Sequence, residues 1–501
     1  MLHWYNRCYK RPRLLSLSHR VRGRRRGLAL VLTAATTIGL LTACAVGPDY
    51  VRPKAEAPGT YKEIGNWKQA EPQDHVIRGA WWEIFNNPEL NTLEEQINIS
   101  NQNVAAAEAQ FRQALALVQV ARAGYFPTVT AGASATRALR SENAGVGNPG
   151  TSGTTINDYL APLTASWAID VWGRVRRLVE AGTASAQASA ATLESVRLLT
   201  QAQVALDYFQ LRTLDAQKKL LDDTTIAYQT SLKLTQNRYA SGIASRADVL
   251  QAETLLKSTQ AQAIDIGVQR AQLEHAIALL LGKPASLFSI PVVPLGALPP
   301  AVPVGVPSEL LERRPDIAAA ERNMAAANAQ IGVAKAAFYP TVTLNGSAGF
   351  ESSDLSNWLT WPSRFWSLGA GISEAVFEGG LRRAQTAAAR AAYDATVASY
   401  RQTVLAAFQQ VEDNLAALRI LEGEAQVQDG AVQAARQSVT VALNQYKAGT
   451  VNYLTVIVVQ AQSLNNEITA LAIQGRRMTA AVNLIQALGG GWSASELAEK
   501  R

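Results

Sequence analysis

Few side chains in this chain are of the kinds that do covalent chemistry, and those few are scattered. The four histidines, His3, His19, His75 and His275, are too widely spaced to suggest a triad or a metal centre. The two cysteines are Cys8 and Cys44. Beyond residue 43 there is no P-loop, no G-x-G-x-x-G after a strand, no H-E-x-x-H and no C-x-x-C. Asp170-Val171-Trp172-Gly173-Arg174 places a carboxylate, an indole and a guanidinium together. It stands between a strand-like and a helix-like segment, however, and Phe377-Glu378-Gly379-Gly380 holds the matching place later in the chain. A turn at a junction accounts for both. The chain reads as a non-enzyme with no metal and no dissociable cofactor.

Cys44 is the exception, because its setting is chemical. Arg20–Arg26 is followed by an apolar run from Leu28 to Leu41, then Thr42-Ala43-Cys44. The run is shorter than the ~20 residues of a spanning helix. Basic residues, a short apolar run and small residues make a secretory signal. The Leu41-Thr42-Ala43-Cys44 ending resembles the bacterial lipobox. There the thiol carries a diacylglycerol by a thioether, and the new N-terminus carries a palmitoyl chain. Two or more acyl chains anchor stably where one does not. Ala45 follows in place of the Asp that commonly retains such lipoproteins in the inner membrane, so the expected address is the outer membrane. The whole chain has a net charge of +7. Residues 1–43 hold nine basic and no acidic side chains, so the remainder is slightly acidic. The basic balance therefore gives no support to nucleic-acid binding.

The remaining chain is one unit used twice. Asn103-Val-Ala-Ala-Ala-Glu108 matches Asp316-Ile-Ala-Ala-Ala-Glu321, and Phe126-Pro-Thr-Val-Thr130 matches Tyr339-Pro-Thr-Val-Thr343, at one offset. Arg238-Tyr-Ala-Ser-Gly242 and Leu281-Gly282 match Gln445-Tyr-Lys-Ala-Gly449 and Leu488-Gly489 at a slightly smaller one. Prolines crowd Pro284–Pro307, where the halves meet. The expected division is 1–43 signal peptide, 44–88 lipid-anchored segment, 89–290 first repeat, 291–307 linker, 308–490 second repeat and 491–501 tail.

No proline interrupts Leu163–Lys283 or follows Pro362, and both stretches are rich in Ala, Gln, Leu and Val, a helical composition. Val397, Val404, Val411, Leu418, Ala425, Val432, Val439 and Tyr446 keep a seven-residue register. Leu199, Leu206, Leu220, Ala227 and Leu234 share another, interrupted by Thr213. Such repeats imply coiled-coil packing. A helix from Arg174 to Tyr239 would run ~100 Å. Gly423 and Gly430 weaken the second long helix by about 1 kcal/mol each, which predicts a break or an offset there.

Four segments change to a period of two. They are 128–136, 159–169, 341–350 and 366–376, with Gly-, Ser- and Asn-rich loops expected at 139–157 and 351–364. Alternation of apolar with small polar residues fits transmembrane strands. Four strands cannot close a barrel, and an open edge in lipid leaves backbone groups unsatisfied. Eight strands, from a dimer, would be filled by their own side chains. Twelve, from a trimer, would leave a lumen. The fold class is therefore a mixed α+β membrane protein with four strands and long coiled-coil helices per chain.

The motifs carry a family resemblance across nearly all of the chain after Cys44. They are Cys44-Ala-Val-Gly-Pro-Asp-Tyr50, Trp81-Trp82-x-x-Phe85-x-x-Pro88-x-Leu90, Leu310-Leu-Glu-Arg-Arg-Pro-Asp-Ile317, Tyr453-Leu-Thr455 and Ala487-Leu-Gly-Gly-Gly-Trp492. The sequence resembles the outer-membrane efflux family of TolC-like channel-tunnels, in its lipoprotein, NodT/OprM-like branch. The resemblance implies a homotrimer with a 12-stranded barrel and a periplasmic α-helical barrel. It implies a periplasmic adaptor protein and an inner-membrane transporter of the resistance–nodulation–division class as partners, with drugs or other small toxic compounds as cargo. Protein or peptide export by a type I route is the alternative, and a lipid-anchored coiled-coil scaffold without a pore is a third. By resemblance, Asp248 and Tyr446 hold the periplasmic entrance closed. Val451, Thr455 and Val458 stand where relatives often carry charge, which leaves a mainly polar and apolar constriction.

Overall fold

The structure is a computed structural model in which residues 45–54, 57–64, 79–139, 141, 154–296, 298–300, 302, 307 and 310–493 are described. The expected lipidation at Cys44 and the signal peptide fall outside these residues. Two compact units divide the chain. A strand unit gathers Val129–Arg174 and Tyr339–Glu374, and a helical unit takes Gly47–Thr128, Val175–Phe338 and Ala375–Arg501. Each unit thus draws on both halves of the sequence.

The order of elements repeats. Helix α1 spans Pro88–Ser100, and α2 spans Gln102–Ala123. Strands β1 (Thr128–Ala131), β2 (Ser134–Leu139) and β3 (Thr155–Ile169) follow, then α3 (Arg174–Ala240) and α4 (Arg246–Leu280). The second series is α5 (Pro315–Ala336), β4 (Thr341–Ser352), β5 (Arg364–Ser373), α6 (Leu381–Ala448) and α7 (Tyr453–Ala487). Helices α2 and α5 both have 22 residues, α3 and α6 have 67 and 68, and α4 and α7 both have 35. The sequence repeat is therefore a repeat of structure.

In the strand unit, β2 pairs antiparallel with β3, β3 with β4, and β4 with β5. Because facing residues share a side of the sheet, the register sorts the side chains into two faces. Leu163, Trp167, Leu344, Phe350, Trp366 and Leu368 lie on one. Thr164, Ser166, Thr343, Asn345, Ser347 and Ser367 lie on the other. The polar face is knitted by Thr130 Oγ1–Thr164 Oγ1 at 2.6 Å and Ser166 Oγ to Asn345 Oδ1 at 3.0 Å. The line of β1 and β2 is interrupted at Gly132–Ala133, where the Gly132 N–H donates to Pro162 O at 2.9 Å. Opposite Pro162 stands Gly349, where a Cβ would lie 2.1 Å from the Ala161 carbonyl oxygen. Among the described residues, the β1/β2 line and β5 are edges with no further strand.

The strands extend further into the hairpin ends than their composition suggests. Thr155 pairs with Leu139, and Ser352 pairs with Tyr159. Polar residues there complete the ladder, so the expected loops are shorter. Val376 lies beyond the end of β5. Trp172, at the junction after β3, stacks on Tyr339 at 4.8 Å and donates from Nε1 to Pro340 O at 2.8 Å. Gly173 has φ 79°, so this segment is a turn.

In the helical unit, α3 and α6 are unbroken. The expected break at Gly423 and Gly430 does not occur. Leu415, Leu418, Leu421 and Val432 are buried around these glycines, and burying several such side chains outweighs two modest propensity penalties. The α6 register holds: Val404, Val411, Leu418, Val432 and Tyr446 are buried. The α3 register needs correction, because Leu199 and Ala227 are exposed. From Leu221 onward the buried stripe instead runs Leu221, Tyr228 and Thr235. Between Ala181 and Ala205 small residues are buried on several sides of the helix, so no single stripe describes it.

The main apolar core joins Trp81, Trp82, Phe85, Leu90 and Phe209 to side chains from α4, α6 and α7. Phe85 meets Phe209 at 4.8 Å. Two motifs from distant parts of the chain converge nearby. Arg314 binds the Asp316 carboxylate through Nε and Nη2, and its Nη1 donates to Ala487 O at 3.0 Å. Gly489 approaches so closely that a Cβ would lie 2.2 Å from Arg313 O. Among the described residues no helix is long and apolar enough to cross a membrane.

Candidate functional site

Two places along the helical unit concentrate polar side chains. The first is a buried waist. Arg212 and Asp215, one turn apart on α3, are almost fully buried. Arg212 pairs with Asp215 at 2.9 Å and with Glu89 of α1, and donates to Pro291 O at 2.6 Å. Arg270 of α4 reaches Asp215 at 2.8 Å, pairs with Glu274 and donates to Ile290 O. Asp215 also accepts the Val293 N–H, and Glu274 accepts the Ile290 N–H. The segment following α4 is thereby tied along two helices by charge-assisted bonds, the stronger class. Tyr208 donates to Glu89 and accepts from Asn87 Nδ2, and its ring lies under the Arg212 guanidinium at 4.7 Å. Burial raises the Tyr208 hydroxyl above the usual phenol range, which keeps it a neutral donor.

The second place is the pair of turns that close the helical hairpins. After α3, Gly242 adopts φ 75° and the Ile243 and Ala244 N–H groups return to Arg238 O. After α6, Gly449 adopts φ 76° and its N–H returns to Tyr446 O. Left-handed glycine is the ordinary end of a helix that must reverse. Each following helix begins with a cap. Ser245 and Asp248 exchange side-chain and backbone bonds at 3.1 and 2.9 Å, a capping box. Asn452 Oδ1 accepts from Thr455 N at 3.1 Å and Oγ1 at 3.0 Å.

One side chain joins the two turns. Arg238, in the last turn of α3, donates to Lys447 O at 3.0 Å and lies 4.8 Å over the Tyr446 ring. A cation there favours the carbonyl-rich end of α6. Tyr446 in turn packs on Tyr453 at 5.1 Å, within a buried group of Ala252, Ala442 and Val456. Tyr453 Oη meets Ser231 Oγ at 3.2 Å. Burial raises its pKa above the usual phenol range, against the opposing hydrogen bonds from Ser231 and Thr235. Between the turns and the waist, α3, α6 and α7 line a cavity of 570 Å3 that includes Tyr228, Leu234 and Gln460. Arg436 and Glu467, which also line it, pair at 2.6 Å.

The residues singled out by sequence are all near these turns but do different things. Asp248 is half-buried, and the bonds its carboxylate makes are those of its cap. Tyr446 is buried, and its hydroxyl has no hydrogen-bond partner. Within one chain, then, the structure does not join Asp248 to Tyr446. Thr455 is exposed in its cap, Val458 is exposed on α7 and Val451 packs beside the tyrosines. Sequence reasoning missed Arg238 and Tyr453 as the parts that join the turns. Both residues stand in quoted motifs, and the available signal was an arginine in the last turn of a helix.

Comparison with known proteins agrees with this architecture. The family model described as "Outer membrane efflux protein" matches residues 93–283 and 306–490. The probable efflux pump outer membrane protein TtgC of Pseudomonas putida is 31% identical over 466 residues, covering 92% of this chain and 96% of that protein. Outer membrane protein OprJ of Pseudomonas aeruginosa is 30% identical over 469 residues, covering 93% of this chain and 96% of that protein. The solved outer-membrane channel OprN superposes with a TM-score of 0.82 at 31% identity, covering 90% of this chain and all of that one. With both halves matched in order and a solved channel sharing the fold, this chain belongs to the outer membrane efflux protein family.

Proposed function

We infer that this chain is the outer-membrane channel of a tripartite efflux pump, a passive exit duct for small toxic compounds driven out by an inner-membrane transporter. The observation that carries this reading is the sheet. It has one apolar face, one face of Thr, Ser, Asn and Gly, and two bare edges. In a bilayer such a sheet must close on further strands. Three copies supply twelve, with the polar faces lining a water-filled lumen. The long helices of three copies form the periplasmic tunnel, whose turns meet an adaptor protein. Cys44 carries S-diacylglycerol and N-palmitoyl chains that tether the mature chain. Asp248, Tyr446, Thr455 and Val458 surround the entrance, where uncharged contacts predominate.

Protein extracted in mild detergent should have the mass of three lipidated chains starting at Cys44. It should form conducting pores in planar bilayers, and it should restore drug tolerance to a strain lacking its own outer-membrane duct. A monomer that conducts, or a trimer that never does, overturns the reading.

A further inference from the structure

We propose that Arg364, held on the face of Trp361 at the outer end of the sheet, binds the phosphate of a phosphorylated glycolipid of the outer leaflet. The proposal rests on the sheet being a membrane wall. Arg364 is the first residue of β5, next to the hairpin loop and away from the strand ends that lead into helices. Its register partner is Phe350, which pairs across to Ala161, so Arg364 belongs to the apolar face. A guanidinium on a lipid-facing surface needs an anion or water. Among the described residues no carboxylate pairs with Arg364.

The side chain is nonetheless held in place. Its guanidinium lies 4.0 Å over the Trp361 ring, and its own N–H returns to Trp361 O. The loop beneath is tied down in turn. Asp354 Oδ1 accepts from Ser356 N and Oγ at 3.0 Å, and Asn357 O accepts from Thr360 Oγ1 and Ser363 Oγ at 2.7 Å. Stacking covers one face of the guanidinium and leaves its N–H fork available at the edges, which suits a planar, bidentate grip on phosphate oxygens. The next residues on the same face, Trp366 and Leu368, are 74% and 81% exposed. They offer acyl chains a surface directly inward from the charge. Aromatic side chains at such a level are the usual interface belt. A fixed cation joined to a belt and an acyl surface selects an anionic lipid over a neutral one. Its position at the hairpin end selects the leaflet that carries lipid A.

The test uses the full-length protein in mild detergent, with bound lipid counted by native mass spectrometry. The probes are diphosphoryl lipid A, enzymatically dephosphorylated lipid A and phosphatidylglycerol. The wild type should retain diphosphoryl lipid A. Arg364→Ala should retain about ten- to a hundredfold less, the scale of one charge-assisted bond. Dephosphorylated lipid A should bind the wild type as weakly as the intact lipid binds Arg364→Ala. Trp361→Ala should fall between, and Arg137→Ala, an arginine on the same face with no aromatic support, should match the wild type. Each variant is compared at equal trimer mass and equal helical circular dichroism, so misfolding is read separately. Equal retention by Arg364→Ala overturns the site, and equal retention of phosphatidylglycerol overturns the choice of lipid. Retention of no lipid by any variant, with protein that stays dispersed without detergent, instead overturns the membrane reading beneath it.

Discussion

The waist and the turns of the helical unit use the same few residue types to opposite ends. At the waist, Asp215 is shared by two arginines and a backbone N–H, and Arg212 and Arg270 each also hold a backbone carbonyl. At the turns, one arginine reaches one carbonyl and one ring, and a buried tyrosine hydroxyl has no partner. The first arrangement is over-determined, because removing one bond leaves the others to hold the geometry. The second has caps and a buried tyrosine pair within its hairpins but a single arginine linking one turn to the other. On the proposed reading, a channel that keeps its frame while its entrance opens would use this asymmetry.

The strongest way to break this comparison is Asp215→Ala. It leaves the buried Arg212 and the partly buried Arg270 without their shared anion and should lower stability by about 3–5 kcal/mol. The loss should appear in the apparent melting temperature of the detergent-solubilised protein, with single-channel conductance unchanged in the surviving trimers. A melting temperature like that of the wild type would show that the waist is not the frame.

Glu94 sharpens the contrast from the other side. It is fully buried on α1, and neither carboxylate oxygen has a hydrogen-bond partner. Burial alone holds its pKa well above the ordinary carboxylate range. With the folded value raised, the unfolded chain ionises first as pH rises, so the penalty on folding is absent below about pH 4 and grows above it. Glu94→Met should therefore add about 1–3 kcal/mol, more at pH 7 than at pH 4. A gain equal at both pH values would mean that Glu94 is not ionising on unfolding.

At the turns, Arg238→Ala removes a helix-end charge and a ring contact together, about 1–2 kcal/mol. It should raise open probability in bilayers while costing the trimer less stability than Asp215→Ala. The smallest effect belongs to Tyr446→Phe. Because the hydroxyl has no partner within its own chain, stability should move by no more than about 0.5 kcal/mol. Open probability should still rise, if modestly, on the reading that this hydroxyl meets an acceptor from a neighbouring copy in the closed entrance. An unchanged open probability would make Tyr446 a packing residue only.

The legible parts of this molecule were those governed by local period. Alternation located every strand, because each side of a sheet repeats every two residues, and the α6 stripe followed from its heptads. The α3 stripe was misplaced because that helix meets different neighbours along its length, so no single register covers Leu199, Leu221 and Thr235. The break expected at Gly423 and Gly430 failed for a related reason: propensity is local and packing is not. Arg238 had only the signal of a basic residue in a last helical turn, and the waist only its local Arg212–Asp215 and Arg270–Glu274 pairs, because the bonds that join the elements reach distant residues, Lys447 and residues 290–293. Glu94 was legible and went unread: with Leu90, Leu93 and Ile97 it stands at i, i+3, i+4 and i+7 of one helical face, the spacing of a buried stripe.

The pairing of β3 with β4 has a consequence for the order of folding. Each helical hairpin closes through a short turn, so its contacts form between near neighbours in the chain. The pairing of Tyr159–Ile169 with Val342–Ser352 must instead wait for the ends of a very long intervening segment to meet. Loop-closure entropy and contact order both place that step late. The helical hairpins therefore form while the strands are still unpaired. The adhesive edges of the sheet come into being only when folding is nearly complete, which shortens the time in which they could pair with the wrong neighbour.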